Sequence, residues 1–171
     1  MSDKPTAEFA EFYASWFDRV YNYARSRTGS ATRADEIAAD TFERAFRAWG
    51  QFDAHKGDRQ TWLFTIAFRS VADHYRSEKR GVWSSLDMIA DPPDAAKGPA
   101  KEAEEADEKR RLLDALSSLD DEAREIVSLK FFSGLTNRAI GDLLGLSESN
   151  VGVTLFRSIR KLRKNFPALE A

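Results

Sequence analysis

The stretch "LTNRAIGDLLGLSESNVGVTLFRSIRKLRKN", from Leu135 to Asn165, decides how the chain is read. Thr136 is placed to cap a helix whose inward residues are Ile140, Leu143 and Leu144. Gly145-Leu146 then makes a tight turn, and Ser147 caps a second helix. Val151, Leu155, Ile159 and Leu162 form the apolar stripe of that helix. Two short helices joined by a Gly-containing turn are a helix-turn-helix. Such a unit lays its second helix in the major groove of DNA, with the N-terminal turns nearest the bases. The side chains left for that task are Ser149, Asn150, Gly152, Val153, Thr154, Phe156 and Arg157. Arg157, Arg160, Lys161, Arg163 and Lys164 put five positive charges into eight residues, where they suit both the helix dipole and phosphates. A solvated basic face on an ordinary bundle is the bland alternative. The turn glycine, the two caps and the stripe falling together at the right spacing favour DNA binding.

Working outward, the rest of the chain also reads as helices, with no strand alternation and no internal repeat. Phe9, Phe12, Tyr13, Trp16, Phe17, Val20, Tyr21 and Ala24 keep the spacing of an amphipathic helix that ends near "RTGS". A second helix is expected to start at a Thr32 cap, with Asp35 three residues on, and to close at Gly50. Its apolar line is Ile37, Ala38, Thr41, Phe42, Ala45, Phe46 and Trp49. "QFDAHKGDRQ" reads as a loop. A third helix carries Trp62, Leu63, Ile66, Ala67, Ser70, Val71 and Tyr75. The pattern lapses after Gly81, and "DPPDAAKGPAKEAEEA" has nothing to bury. Trp83, Leu86 and Met88 just before it are expected to dock on one of the protein's own domains, the alternative being that they await a partner. Periodicity returns with Leu112, Leu113 and Leu116. A helix capped by Asp120 or Asp121 follows, carrying Ile126, Val127 and Phe131 and stopping at Gly134. The expected fold is all-α: two small helical bundles, residues 1–80 and 109–171, on a flexible acidic linker, residues 81–108.

Charge divides the same way. The net charge of −2 argues at first against a nucleic-acid partner. Residues 1–80 hold 13 basic and 12 acidic side chains, residues 81–108 hold 2 and 8, and residues 109–171 hold 11 and 8. The acid is concentrated in the middle, so both bundles remain net basic. The chain has no cysteine, which excludes disulfides and thiolate chemistry. No signal segment opens it, and "WLFTIAF" is too short to span a bilayer. A cytoplasmic protein without membrane insertion is expected. With two distant histidines, no phosphate loop and no acid pair in an evident pocket, the residues suggest no enzyme, no metal and no cofactor. His74 has no second ligand at metal spacing and is expected to be structural or solvated.

The whole chain resembles the extracytoplasmic-function sigma factors, the minimal promoter-recognition subunits of bacterial RNA polymerase. "ADEIAADTFERAFRAW" is similar to the segment of sigma domain two that binds core polymerase. "TWLFTIAFRSVADHYRSEKR" looks like the helix that melts and reads the minus-ten element, and the stretch from Leu135 looks like the minus-thirty-five reader of domain four. The resemblance implies that Asp35, Glu36, Asp40, Phe42 and Arg44 meet the β′ clamp of core polymerase, and that domain four meets the β flap. It implies that Phe52, Asp53, Lys56, Arg69 and Ser70 hold flipped bases, with Arg76, Lys79 and Arg80 on the upstream backbone. Trp62 is expected to be core. It implies promoter DNA and an anti-sigma factor as further partners. The family often has Gln at the position of Ala39, Asn at that of Arg69, and basic or hydroxyl side chains at Gly152, Val153 and Thr154. Readout would then rest on Arg157, on apolar contacts to thymine methyls, and on DNA shape.

Two other readings stay open on the residues. "LTNRAIGDLLGLSESNV" also resembles the DNA-binding unit of quorum-type response regulators, which would make residues 1–80 a ligand or dimerisation domain of an autonomous activator. A helical adaptor that binds only proteins would leave the ladder from Arg157 to Lys164 unexplained.

Overall fold

The computed structural model describes the backbone of residues 3–79 and 100–165 and the side chains of residues 6–79 and 106–164. The expectations for Arg80 and for Trp83, Leu86 and Met88 fall outside them. The described residues are helical, with no strand among them. Helices α1 (Asp3–Thr28), α2 (Ala31–Arg47) and α3 (Arg59–Lys79) build the first lobe. Helices α4 (Ala100–Ser117), α5 (Asp121–Ser128), α6 (Asn137–Leu144) and α7 (Glu148–Asn165) build the second. A 3-10 turn, Trp49–Gln51, follows α2, and a π turn, Leu129–Ser133, continues α5. Helix α4 starts at Ala100, so it crosses the boundary expected between residues 108 and 109.

In the first lobe the apolar stripes meet as their spacing requires. Val20, Tyr23 and Ala24 of α1 pack with Ile37, Ala38, Phe42 and Ala45 of α2 and with Leu63, Phe64, Ala67 and Val71 of α3. Phe9, Phe12, Phe42, Phe46 and Trp49 stack edge-on or tilted at one end, with centroids 4.9–6.5 Å apart. The start of α2 corrects the sequence reading. Ser30, with φ −120° and ψ 130°, is the cap, and its hydroxyl accepts from the Arg33 amide. Thr32 lies inside the first turn, so Asp35 and Glu36 sit in the second turn, where the helix dipole is weaker. The end is corrected too. Ala48 caps α2 and Gly50 belongs to the 3-10 turn.

The second lobe follows its caps closely. Asp120 accepts from the Ala123 amide, Thr136 from the Ala139 amide and Ser147 from the Asn150 amide. Gly134 and Gly145 both take φ +71°, the left-handed conformation that ends a helix without a Cβ penalty. Phe131, expected inward, is 61% exposed, because the π turn moves it off the buried face.

The two bundles also touch. The C-terminal half of α1 lies against α5 and the π turn, and one apolar cluster runs from Val20 and Tyr23 to Ile126 and Leu129.

Candidate nucleic-acid interface and partner surface

Helix α7 shows outward what the sequence reading assigned to DNA. Val151, Leu155, Ser158 and Leu162 are buried, and Ile159 is half-buried. Ser149, Asn150, Val153, Phe156, Arg157, Arg160, Lys161, Arg163 and Lys164 are exposed, while Gly152 and Thr154 are partly covered. Phe156 is 62% exposed, and the Arg160 guanidinium lies 5.7 Å from its ring centroid. An aromatic ring this exposed is suited to apolar contact with thymine methyls. Lys161 is less available than its neighbours, because its ammonium donates to the Ser118 carbonyl at 2.6 Å.

The helix-turn-helix is locked by a residue the sequence reading passed over. Gly141 offers its carbonyl to the amides of Gly145 and Leu146, the latter at 2.8 Å. A Cβ on Gly141 would stand 2.6 Å from the Leu146 carbonyl oxygen. The close approach of α6 to its own exit turn therefore requires glycine. Asn137 lies beside Gly152, but at 3.6 Å from a built Cβ it leaves room for a side chain there.

In the first lobe, the loop before α3 is shaped by its own carboxylates. Asp53 accepts from the His55 amide at 3.0 Å and lies 3.8 Å from the Lys56 ammonium. Asp58 caps α3, accepting from the Thr61 amide at 2.7 Å and the Thr61 hydroxyl at 3.0 Å. These bonds hold its carboxyl below the usual range. Phe52 is half-buried edge-on to Trp62, and Arg59 lies 4.2 Å from the Trp49 centroid and 5.3 Å from that of Phe52. Arg59, also missed in sequence, clamps the loop from outside by cation–π contact. Trp62 packs partly buried against the core. Arg69, Arg76 and Lys79 are exposed along α3. Ser70 is corrected: it is 2% exposed, so it belongs to the buried stripe and cannot reach a base.

The acidic face of α2 is the other surface. Asp35 and Glu36 are exposed. Arg44 holds Asp40 at 2.9 Å and Asp73 of α3 at 2.7 Å, a bridge between two helices that keeps its guanidinium firmly charged. Phe42 is corrected from partner contact to core, at 4% exposure. Beside the bridge, Glu36, Asp40, Ser70, Asp73, His74 and Ser77 line a polar cleft of about 260 Å³. His74 is buried, with Glu78 3.6 Å from its Nε2. On the second lobe an apolar groove of about 490 Å³ is lined by Leu112, Leu116, Val127, Phe131, Phe132, Ile159 and Leu162.

Among the described residues no group of His, Cys, Asp or Glu could hold a metal ion, and no helix is long and apolar enough to cross a membrane.

The first lobe matches the family described as Sigma-70 region 2 over residues 12–81, and the second matches Sigma-70, region 4 over residues 109–162. The chain belongs to the sigma-70 family. Similar sigma factors include the ECF RNA polymerase sigma factor BldN of Streptomyces coelicolor, 30% identical over 159 residues. That match covers 93% of this chain and 60% of BldN. The ECF RNA polymerase sigma factor SigK of Mycobacterium bovis is 28% identical over 158 residues, covering 92% of this chain and 84% of SigK. In fold, the chain is similar to the sigma factor RpoE of Bartonella quintana, solved with the anti-sigma factor NepR. The TM-score is 0.71 at 18% identity, covering 94% of this chain and 97% of that one. CnrH, solved with the cytosolic domain of CnrY, gives a TM-score of 0.66 at 24% identity over 95% and 90% of the two chains.

Proposed function

We infer that this chain is an alternative sigma factor of the extracytoplasmic-function type, which binds core RNA polymerase and directs promoter-specific initiation. The observation that carries the reading is the pairing of two surfaces in one chain: an exposed acidic face on α2 and an exposed basic recognition helix, α7. Asp35 and Glu36, with the Arg44 bridge to Asp40 and Asp73, suit a basic clamp on the β′ subunit, and such complementarity sets orientation and on-rate. The groove around Phe131 and Ile159 suits an apolar element of the β flap. The loop holding Phe52, Asp53 and Lys56, with Arg69, Arg76, Lys79 and Arg80, is assigned to the minus-ten strand. Ser149, Asn150, Gly152, Val153, Thr154, Phe156, Arg157, Arg160, Lys161 and Lys164 are assigned to the minus-thirty-five duplex. Residues 1–80 and 109–171 are the two functional domains, joined by the acidic residues 81–108. Work in the cytoplasm and restraint by an anti-sigma factor complete the reading, the latter supported by the partner named for RpoE.

Run-off transcription with purified core polymerase on a genomic promoter library tests it. Promoter-dependent transcripts are expected. A chain that starts RNA synthesis on no template overturns the reading, and tight sequence-specific binding by the free chain would favour the autonomous activator.

The labour within α7 divides by position. Arg157 lies in the third turn of α7, within reach of a base edge, and Lys164 lies further along, where the helix meets phosphates. Arg157→Ala is expected to cost ~1–3 kcal/mol and flatten preference at one or two base pairs. Lys164→Ala is expected to weaken all sequences alike and lower the salt slope by ~0.9. Selection of minus-thirty-five DNA by holoenzyme at two salt concentrations separates the two, and an unchanged selected sequence for Arg157→Ala refutes its role.

A further inference from the structure

The N-terminal turns of a recognition helix present side chains to the base edges. In α7 that stretch contains Gly152, which has none to present. Gly152 is nevertheless partly covered. What covers it comes from the other helix of the unit. Asn137, the first residue of α6, brings its Nδ2 to 3.6 Å from the point that a Cβ on Gly152 would occupy.

The fold makes no use of that carboxamide. Asparagine at the start of a helix commonly bonds the local backbone. Here Thr136 already fills the role, since its hydroxyl accepts from the Ala139 amide. Asn137 is half-buried, and its Oδ1 is buried with no hydrogen-bond partner among the described residues. A buried acceptor without a donor is a cost that packing alone does not explain. With Oδ1 turned inward, the donor end, Nδ2, is the one that lies over Gly152. The first helix of such a unit crosses the sugar–phosphate backbone. Arg138, the next residue and the single cation of α6, is exposed at the same end, where its charge favours that approach.

We propose that Asn137 is a specificity-determining residue for the minus-thirty-five duplex. Its carboxamide takes the place of the side chain that α7 lacks at Gly152, and it donates through Nδ2 to an acceptor on a base edge. The proposal rests on the sigma-factor reading. In the major groove such a donor finds guanine O6 and N7, adenine N7 and thymine O4, whereas cytosine offers it only another donor. The readout is therefore the exclusion of cytosine at one position. Glycine at 152 is part of the arrangement. A Cβ alone would fit, but a longer side chain would run through the space that the carboxamide holds.

Holoenzyme reconstituted with the full chain, selecting from randomised minus-thirty-five DNA, tests this. The parent is expected to exclude cytosine at one position, and Asn137→Ala to relax that exclusion about fivefold. Asn137→Asp keeps the shape and replaces the donor by an acceptor, so cytosine should become the preferred base there, with weaker binding overall. An acid in the first turn of α6 also suits the helix dipole, so this variant stays folded even where alanine lowers stability. In a Gly152→Arg chain, which fills the same space, Asn137→Ala should no longer change the selected sequence. Identical selection by the parent and both Asn137 variants overturns the proposal. So does a loss that is uniform over all sequences, or an Asn137→Ala effect of equal size in the Gly152→Arg chain. A parent holoenzyme that selects no sequence at all overturns the sigma-factor reading and this proposal together, whereas a parent that selects, with its variants selecting alike, overturns the proposal alone.

Discussion

Replacing Gly141 by alanine should destabilise the second lobe by about 1–3 kcal/mol, and by valine more. Elsewhere in a helix the change from glycine would stabilise by up to about 1 kcal/mol. Here the added Cβ meets a backbone oxygen, that of Leu146, at 2.6 Å. That oxygen cannot swing away, because Gly145 is fixed in the left-handed region and both exit amides are bonded to Gly141. The turn must open, and α7 then tilts relative to α6. Loss of minus-thirty-five binding is therefore expected to accompany the stability loss, with capture by core polymerase unchanged. Thermal unfolding of the chain and footprinting by the reconstituted holoenzyme measure the two effects. A Gly141→Ala chain that melts and footprints like the parent would show that the turn has slack.

Charge reversal on α2 should have an effect at least as large, on binding instead of folding. Asp35→Lys with Glu36→Lys is expected to weaken association with core polymerase by two orders of magnitude or more, since like charges brought together at an interface cost several kcal/mol. Both residues are exposed, and the change leaves the Arg44 bridge from Asp40 to Asp73 in place. Circular dichroism should be unchanged. Co-purification with core enzyme is the measurement, and undiminished capture of a folded double variant would move the docking surface elsewhere. Phe42 is unsuitable for this purpose. Truncating a phenylalanine in the core costs ~3–5 kcal/mol, so Phe42→Ala would report on the fold alone.

The helix-turn-helix was legible because its determinants are local. Thr136, Gly145 and Ser147 each act within four residues, and the stripe of α7 repeats at a fixed interval. Phe42 and Ser70 belonged both to an apolar stripe and to a stretch that looks functional, and only packing decides between those memberships. Ser30 and Thr32 are both able to cap, and the backbone conformation at Ser30 chooses. Gly141 gave no signal, because a glycine inside a helical pattern reads as a mild defect until the approach of Leu146 is seen. The contact between lobes was least legible. Tyr23 and Glu125 are 102 residues apart, and neither periodicity nor composition reports a pairing at that separation.

The π turn at Leu129–Ser133 has a bearing on how such a contact can arise in descent. Ser128 and Ser133 are both fully buried, and both meet the first lobe, one through its hydroxyl and the other through its carbonyl. On an α-helix, residues five apart point roughly 140° away from each other. The wider turn brings them round to one side, as one inserted residue does in a regular helix. Whether the halves of the molecule can meet is thus settled by the length of this segment as much as by its side chains. A single codon gained or lost there would rephase everything beyond it, and could create or abolish the contact between the lobes in one step while leaving the exposed residues of α3 and α7 unchanged.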